Sequence, residues 1–183
     1  MDSDATEPSV EVVEWAKELV AAPLTADVVR RLVGILRDRG DARAEMAAWA
    51  LRFGELAPES RQDGLHALLE VMIDDSRSER VRGQVAEAVG EQLQFSGDAH
   101  MRATAVDLLT EALSDGSALV RFWSAFALGK PSATSAVPAL RQLVADQTLV
   151  ARWWTISEEA SDAIDVIEGR APPSRQPRSA GAP

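Results

Sequence analysis

Arg43, Arg82 and Arg121 stand 39 residues apart, and their neighbours recur with them. The stretches read Ala42-Arg43…Ala47, Val81-Arg82…Ala86 and Val120-Arg121…Ala125, and the last two continue to Val89-Gly90 and Leu128-Gly129. A repeat of this length is one supersecondary unit, which cannot bury its apolar face alone and must stack on its neighbours. A second set of positions repeats as well. Leu68-Leu69…Met72-Ile73…Asp75 matches Leu108-Leu109…Ala112-Leu113…Asp115 at a shift of 40, and that set matches Leu140…Leu143-Val144…Asp146 at a shift of 31. The shift of 31 also carries Arg121-Phe122-Trp123 onto Arg152-Trp153-Trp154. Two separate segments giving one offset show that the last unit is shortened between its helices.

Apolar residues at three-to-four spacing predict helices over Ser9–Ala22, Ala26–Arg39 (capped by Thr25), a third capped by Asp41 and running through Phe53, and Ser60–Ile73, with Gly54 and Pro58 as breakers. Further helices are expected over Ser78–Gln94, Ala99–Leu113, Ala118–Leu128, Ala133–Ala145 and from Thr148 to about Glu168. No alternating run longer than four residues suggests a strand. The expected fold is therefore all-α, an α-solenoid of about four helical hairpins plus a C-terminal capping helix. Residues 1–8 are expected to be an acidic, disordered start, 9–169 the repeat domain, and 170–183 a disordered tail containing Pro and Arg.

Charge narrows the function classes. The chain carries 29 acids against 19 bases, a net charge of −10. Three arginines and no acid lie beyond Gly169, so residues 1–169 alone carry −13. That field repels phosphate backbones and favours a basic partner, so no nucleic-acid ligand is expected. There is no cysteine, which excludes disulfides and thiolate chemistry. An acidic start without an apolar run, and no stretch near the ~20 apolar residues of a membrane span, point to a cytoplasmic protein with no membrane partner.

The repeat resembles the HEAT-like repeats of phycobilisome lyases. The best match is Asp115-Gly116-Ser117-Ala118-Leu119-Val120-Arg121, then Ala125-Phe126-Ala127-Leu128-Gly129 and Ala136-Val137-Pro138-Ala139-Leu140, with Val81–Gly90 as a second copy. The resemblance implies that each repeat arginine pairs with an Asp of an adjoining turn, placing Arg82, Arg121 and Arg152 in a structural ladder with Asp75, Asp115 and Asp146. It also implies a surface for protein partners formed by the second helices of the pairs.

Candidate binding residues follow from that surface. Glu70, Asp107, Glu111 and Asp146 would steer a basic protein partner, and Trp154 would anchor it, because its helical neighbours Glu158, Ser161 and Asp165 are polar. Trp123 is expected in the core, and Trp153 on a core stripe with Ile156, Ala160 and Ile164. The acid pairs Glu158-Glu159 and Asp162-Asp165 read as solvated helix faces, and the basic tail could fold back on the acidic body, weakly in salt. His66 and His100 are isolated, so neither a metal site nor a cofactor is expected. Neither a phosphate loop nor a nucleophile elbow occurs. The chain reads as a non-catalytic protein-binding adaptor or scaffold of unknown oligomeric state. The alternatives are a HEAT-like enzyme or accessory of the bilin lyase or DNA glycosylase kind, and a small acidic immunity or antitoxin-type protein.

Overall fold

The computed structural model describes residues 8–130, 133–150 and 153–175. Among them are nine α-helices: α1 (Val10–Leu19), α2 (Ala26–Arg37), α3 (Ala44–Phe53), α4 (Pro58–Met72), α5 (Glu79–Leu93), α6 (Ala99–Ala112), α7 (Ala118–Gly129), α8 (Val137–Leu143, preceded by a 3-10 turn, Thr134–Ala136) and α9 (Ile156–Ile167). The all-α expectation holds: the consecutive helices that pack as pairs are α2 with α3, α4 with α5, α6 with α7 and α8 with α9, with α1 ahead of them against α3. Contacts divide the chain into two compact units, 1–97 and 98–183.

The first unit has two layers. α1, α3 and α5 lie side by side in one, α2 and α4 in the other, and α2 packs on α3 as α4 packs on α5. The repeated small residues explain the close first layer: Ala47 and Ala86 are wholly buried on α3 and α5, where a larger side chain would hold neighbouring helices apart. The loops before α2 and α4 meet as a short parallel bridge, Leu24 to Leu56, through a bond from the Leu24 amide to the Glu55 carbonyl at 2.9 Å. Leu24 fills the space over Gly54, where a Cβ would stand 2.3 Å from its Cδ1.

The second unit repeats the plan. α7 packs on α9, with α6 against α7 and α8 against α9. Phe122 is 1% exposed, whereas Trp123 is only half-buried, so the large core ring of α7 is Phe122 and not the expected Trp123.

Several helix boundaries differ from expectation; α1 ends at Leu19 and α8 covers only Val137–Leu143, and three further differences have a clear cause. Pro58 opens α4 instead of breaking the chain, since its missing N–H lies among the donors a first turn leaves unbonded. Asp41 precedes α3 in a turn, where its carboxylate accepts the Arg43 amide at 2.9 Å. The last helix starts at Ile156 rather than near Thr148, because Thr155 and Glu158 form a reciprocal capping box that fixes the start. Trp153 and Trp154 therefore sit on a loop, and the helical-face reasoning that placed Trp153 on a core stripe and Trp154 on a polar face does not apply to them.

Replacing Gly54 with Ala should cost about 1–3 kcal/mol in urea unfolding, because buried Leu24 has no room to retreat. Gly34→Ala, at an exposed position of α2 with open space around the new methyl, should gain about 0.5–1 kcal/mol. Equal effects for the two would refute the packing argument.

Candidate functional site

The repeat arginines are built into the turns. In the second unit the Nε and Nη2 of Arg121 donate to Asp146 at 3.1 and 2.9 Å, and its Nη1 donates to the backbone carbonyls of Asp115 and Gly116 at 2.8 and 3.1 Å. Arg121 thus ties the turn before α7 to the turn after α8. The Asp115 carboxylate instead accepts the Ser117 amide at 2.7 Å, closing its own turn. In the first unit Arg82 reaches Asp75 at 3.4 Å, but the Asp75 side chain is 93% exposed. The carboxylate that closes this turn is Asp74, which accepts the Ser76 amide at 3.1 Å and pairs with Arg39 at 3.0 Å. Arg82 thus keeps the expected partner, Asp75, while the neighbouring Asp74 closes the turn. Arg152 lies outside the described residues.

The proposed steering acids fall into different settings. Asp146 is part of a structural lock: burial opposes its charge, but bonds from Thr148 and the Arg121 guanidinium outweigh that and hold its carboxyl below the usual range. Glu70 lies on α4 and accepts from Arg37 at 2.8 and 3.2 Å, so its charge is compensated. Arg37 and Glu70 line a groove of about 500 Å³ between α2 and α4, with Val29, Val33, Asp63 and His66. Asp107 and Glu111 are exposed one turn apart on α6, and neither has an ion-pair partner among the described residues. Glu70 belongs to the first unit and the other four candidate residues to the second.

Trp154 is half-buried and belongs to a cluster of five rings. Phe122, Trp123 and Phe126 of α7 meet Trp153 and Trp154, with centroids 5.1 to 6.4 Å apart and several pairs edge to face, the favoured arrangement for aromatic quadrupoles. The loop carrying the two tryptophans also satisfies the first turn of α9: the amides of Ile156 and Ser157 donate to the carbonyls of Thr148 and Asp146 at 3.0 and 2.8 Å.

The Trp154 indole donates to Glu159 at 2.6 Å. Glu159 is only 4% exposed, so it does not lie on the solvated face expected of it. Burial pushes its carboxyl up to about 7; the Trp154 bond, Arg175 and Lys130 work against that, and the nearby Asp162 charge adds to it. Above it, Arg175 pairs with Asp162 and Glu158, its guanidinium 6.0 Å from the Trp154 ring centre. Residues 171–175 have no regular structure, yet Arg175 holds them to α9. The acids of α9 and the basic tail were both visible in the sequence; the loop that turns Trp154 over Glu159 was not.

These observations define a class: a helical-repeat protein whose turns are locked by aspartate and arginine and whose surface is rich in acids. Residues 65–158 match the HEAT repeats family, just over half of the chain, and the chain belongs to that family. No curated protein matches it. Among the described residues, no helix is long and apolar enough to cross a membrane and no three His, Asp or Glu side chains gather as metal ligands.

Glu159 gives a pH signature. The folded chain binds its proton more tightly than the unfolded chain, whose carboxyl titrates near 4.5, so stability falls as pH rises from about 4.5 to 7. The full ionisation penalty is about 3 kcal/mol. Asp41, Asp98 and Asp146, held low by hydrogen bonds and arginine, act oppositely and only below the ordinary carboxylate range. Urea unfolding at pH 5 and pH 8 should show the decline, and Glu159→Gln should remove it. Matching pH profiles for the two proteins would count against the buried acid.

Proposed function

We propose that this chain is a non-catalytic adaptor that binds a basic protein partner through the acidic surface of its HEAT hairpins. The observation that carries this reading is the pair Asp107 and Glu111, uncompensated charges one turn apart on α6 within the family match. Paired exposed acids raise the encounter rate with a basic surface and add salt dependence to it. A net charge of −10 supports a protein partner over a nucleic acid.

The acids also fit binding better than catalysis. General acid–base work needs a carboxyl near neutral pKa within reach of substrate. Asp41, Asp74, Asp98 and Asp146 are held low by hydrogen bonds and stay ionised. Glu159 has a suitable pKa but is buried beneath Trp154, out of reach of a substrate. The finer kinship with phycobilisome-lyase-type repeats is supported by the Asp115–Arg121 turn and its link to Asp146, the pairing that resemblance implies.

Affinity capture from the source organism identifies the partner, and rapid-mixing kinetics then test the reading. Asp107→Lys with Glu111→Lys should slow association on the order of tenfold and flatten its salt dependence. An unchanged rate and salt slope would refute steering by α6.

A further inference from the structure

The strongest unexplained contact in the molecule is made by the tail. Arg170 folds back at once to Asp165 and Glu168. Ala171-Pro172-Pro173-Ser174 then run exposed and without regular structure to Arg175. Among the described residues, no backbone hydrogen bond joins 171–175 to α9. One side chain holds the segment.

That side chain is met on three nitrogens. Nε and Nη2 donate side by side to the two oxygens of Asp162 at 2.6 and 2.9 Å, and Nη1 donates to Glu158 Oε1 at 3.0 Å. The seat is prepared by bonds that do not involve Arg175. Glu158 Oε2 accepts from the Thr155 amide and hydroxyl at 2.8 and 3.0 Å, which leaves Oε1 facing the guanidinium. The Trp154 ring is oriented by Glu159 and flanked by Phe122 and Trp153 at 5.9 and 5.6 Å. A planar fork, a second carboxylate and an aromatic face together match arginine and not lysine, whose ammonium cannot bridge both oxygens of Asp162 in parallel.

We propose that the first two turns of α9, with Trp154, form an arginine-binding site for an extended, arginine-bearing segment of a partner protein, and that Arg175 occupies it in cis. The inference rests on the reading of the chain as a protein-binding module and supplies the chemistry of the partner. A tethered ligand acts at an effective concentration in the millimolar range, so Arg175 masks the site from weaker external segments. A partner must displace the tail by offering its own arginine together with further contacts. The tail sets a threshold for binding.

The probe is a fluorescent peptide of sequence Ala-Pro-Pro-Ser-Arg-Gln-Pro, copying residues 171–177, titrated with the full-length chain and followed by anisotropy. Arg175→Ala should bind it at least tenfold more tightly than the unaltered protein. Adding Asp162→Asn should abolish that binding, and a peptide with lysine in place of its arginine should lose at least tenfold. Equal affinities for the unaltered and Arg175→Ala chains, binding that survives Asp162→Asn, or equal affinity for the lysine peptide would each overturn the site. Should Arg175→Ala fail to fold, Arg175→Lys keeps the charge while opening the fork; it should bind the peptide with intermediate affinity, and equality with the unaltered chain would overturn the proposal. None of these results bears on Asp107 and Glu111, so the site can fail while the adaptor reading stands.

Discussion

Close approach of helices within each unit is the constraint from which the rest follows. On α7, a Cβ at Gly129 would lie 3.2 Å from the Cα of Ala163 on α9, so these two backbones are nearly in contact. Ala125 on α7 is wholly buried, as are Ala47 and Ala86 at the matching positions of α3 and α5. With helices this near, little apolar volume separates them, and larger side chains such as Phe122, Leu109 and Leu140 carry the burial around the seam. The arginine four residues earlier in each repeat is thereby left at the start of the helix, beside the turns.

Those turns explain how the chain uses its charge. Asp41, Asp74, Asp115 and Asp146 each accept an amide two residues ahead, at 2.9, 3.1, 2.7 and 3.0 Å. A carboxylate in this arrangement replaces a backbone acceptor and starts the next element in register. Arg80 with Glu45, Arg37 with Glu70 and Arg121 with Asp146 then join neighbouring helices or turns. Such partly exposed pairs add on the order of 0–1 kcal/mol each, so they specify spacing more than they stabilise it.

The sequence spelled out the repeat because apolar spacing and small seam residues obey local geometry. Nine helices were expected and nine are found among the described residues. It was less informative wherever one residue decides between two hydrogen-bonding schemes. Asp74 and Asp75 are chemically identical, and only their settings separate them: Asp74 accepts from Ser76 and pairs with Arg39, whereas Asp75 is exposed and pairs with Arg82. Pro58 breaks a helix interior yet suits a first turn. Trp153 and Trp154 repeat letters of an earlier helix but lie outside any helix, as do residues 148–150, since the Thr155–Glu158 box offers α9 a better start and its amides find loop carbonyls. The candidate site suffered most from this last point, because a loop aims Trp154 differently from a helix.

Burying Glu159 beneath Trp154 has a cost that packing alone does not require. A glutamine there would keep an acceptor for the indole and avoid a carboxyl whose pKa is raised to about 7. Its negative form lies close to Arg175 and Lys130, and its neutral form weakens the field that holds the guanidinium. Asp162 and Glu158 bind Arg175 directly, while Glu159 sets both the ring plane of Trp154 and part of the charge behind it. One buried carboxyl thus links the aromatic cluster of α7 to the acidic face of α9, and through Arg175 to the tail.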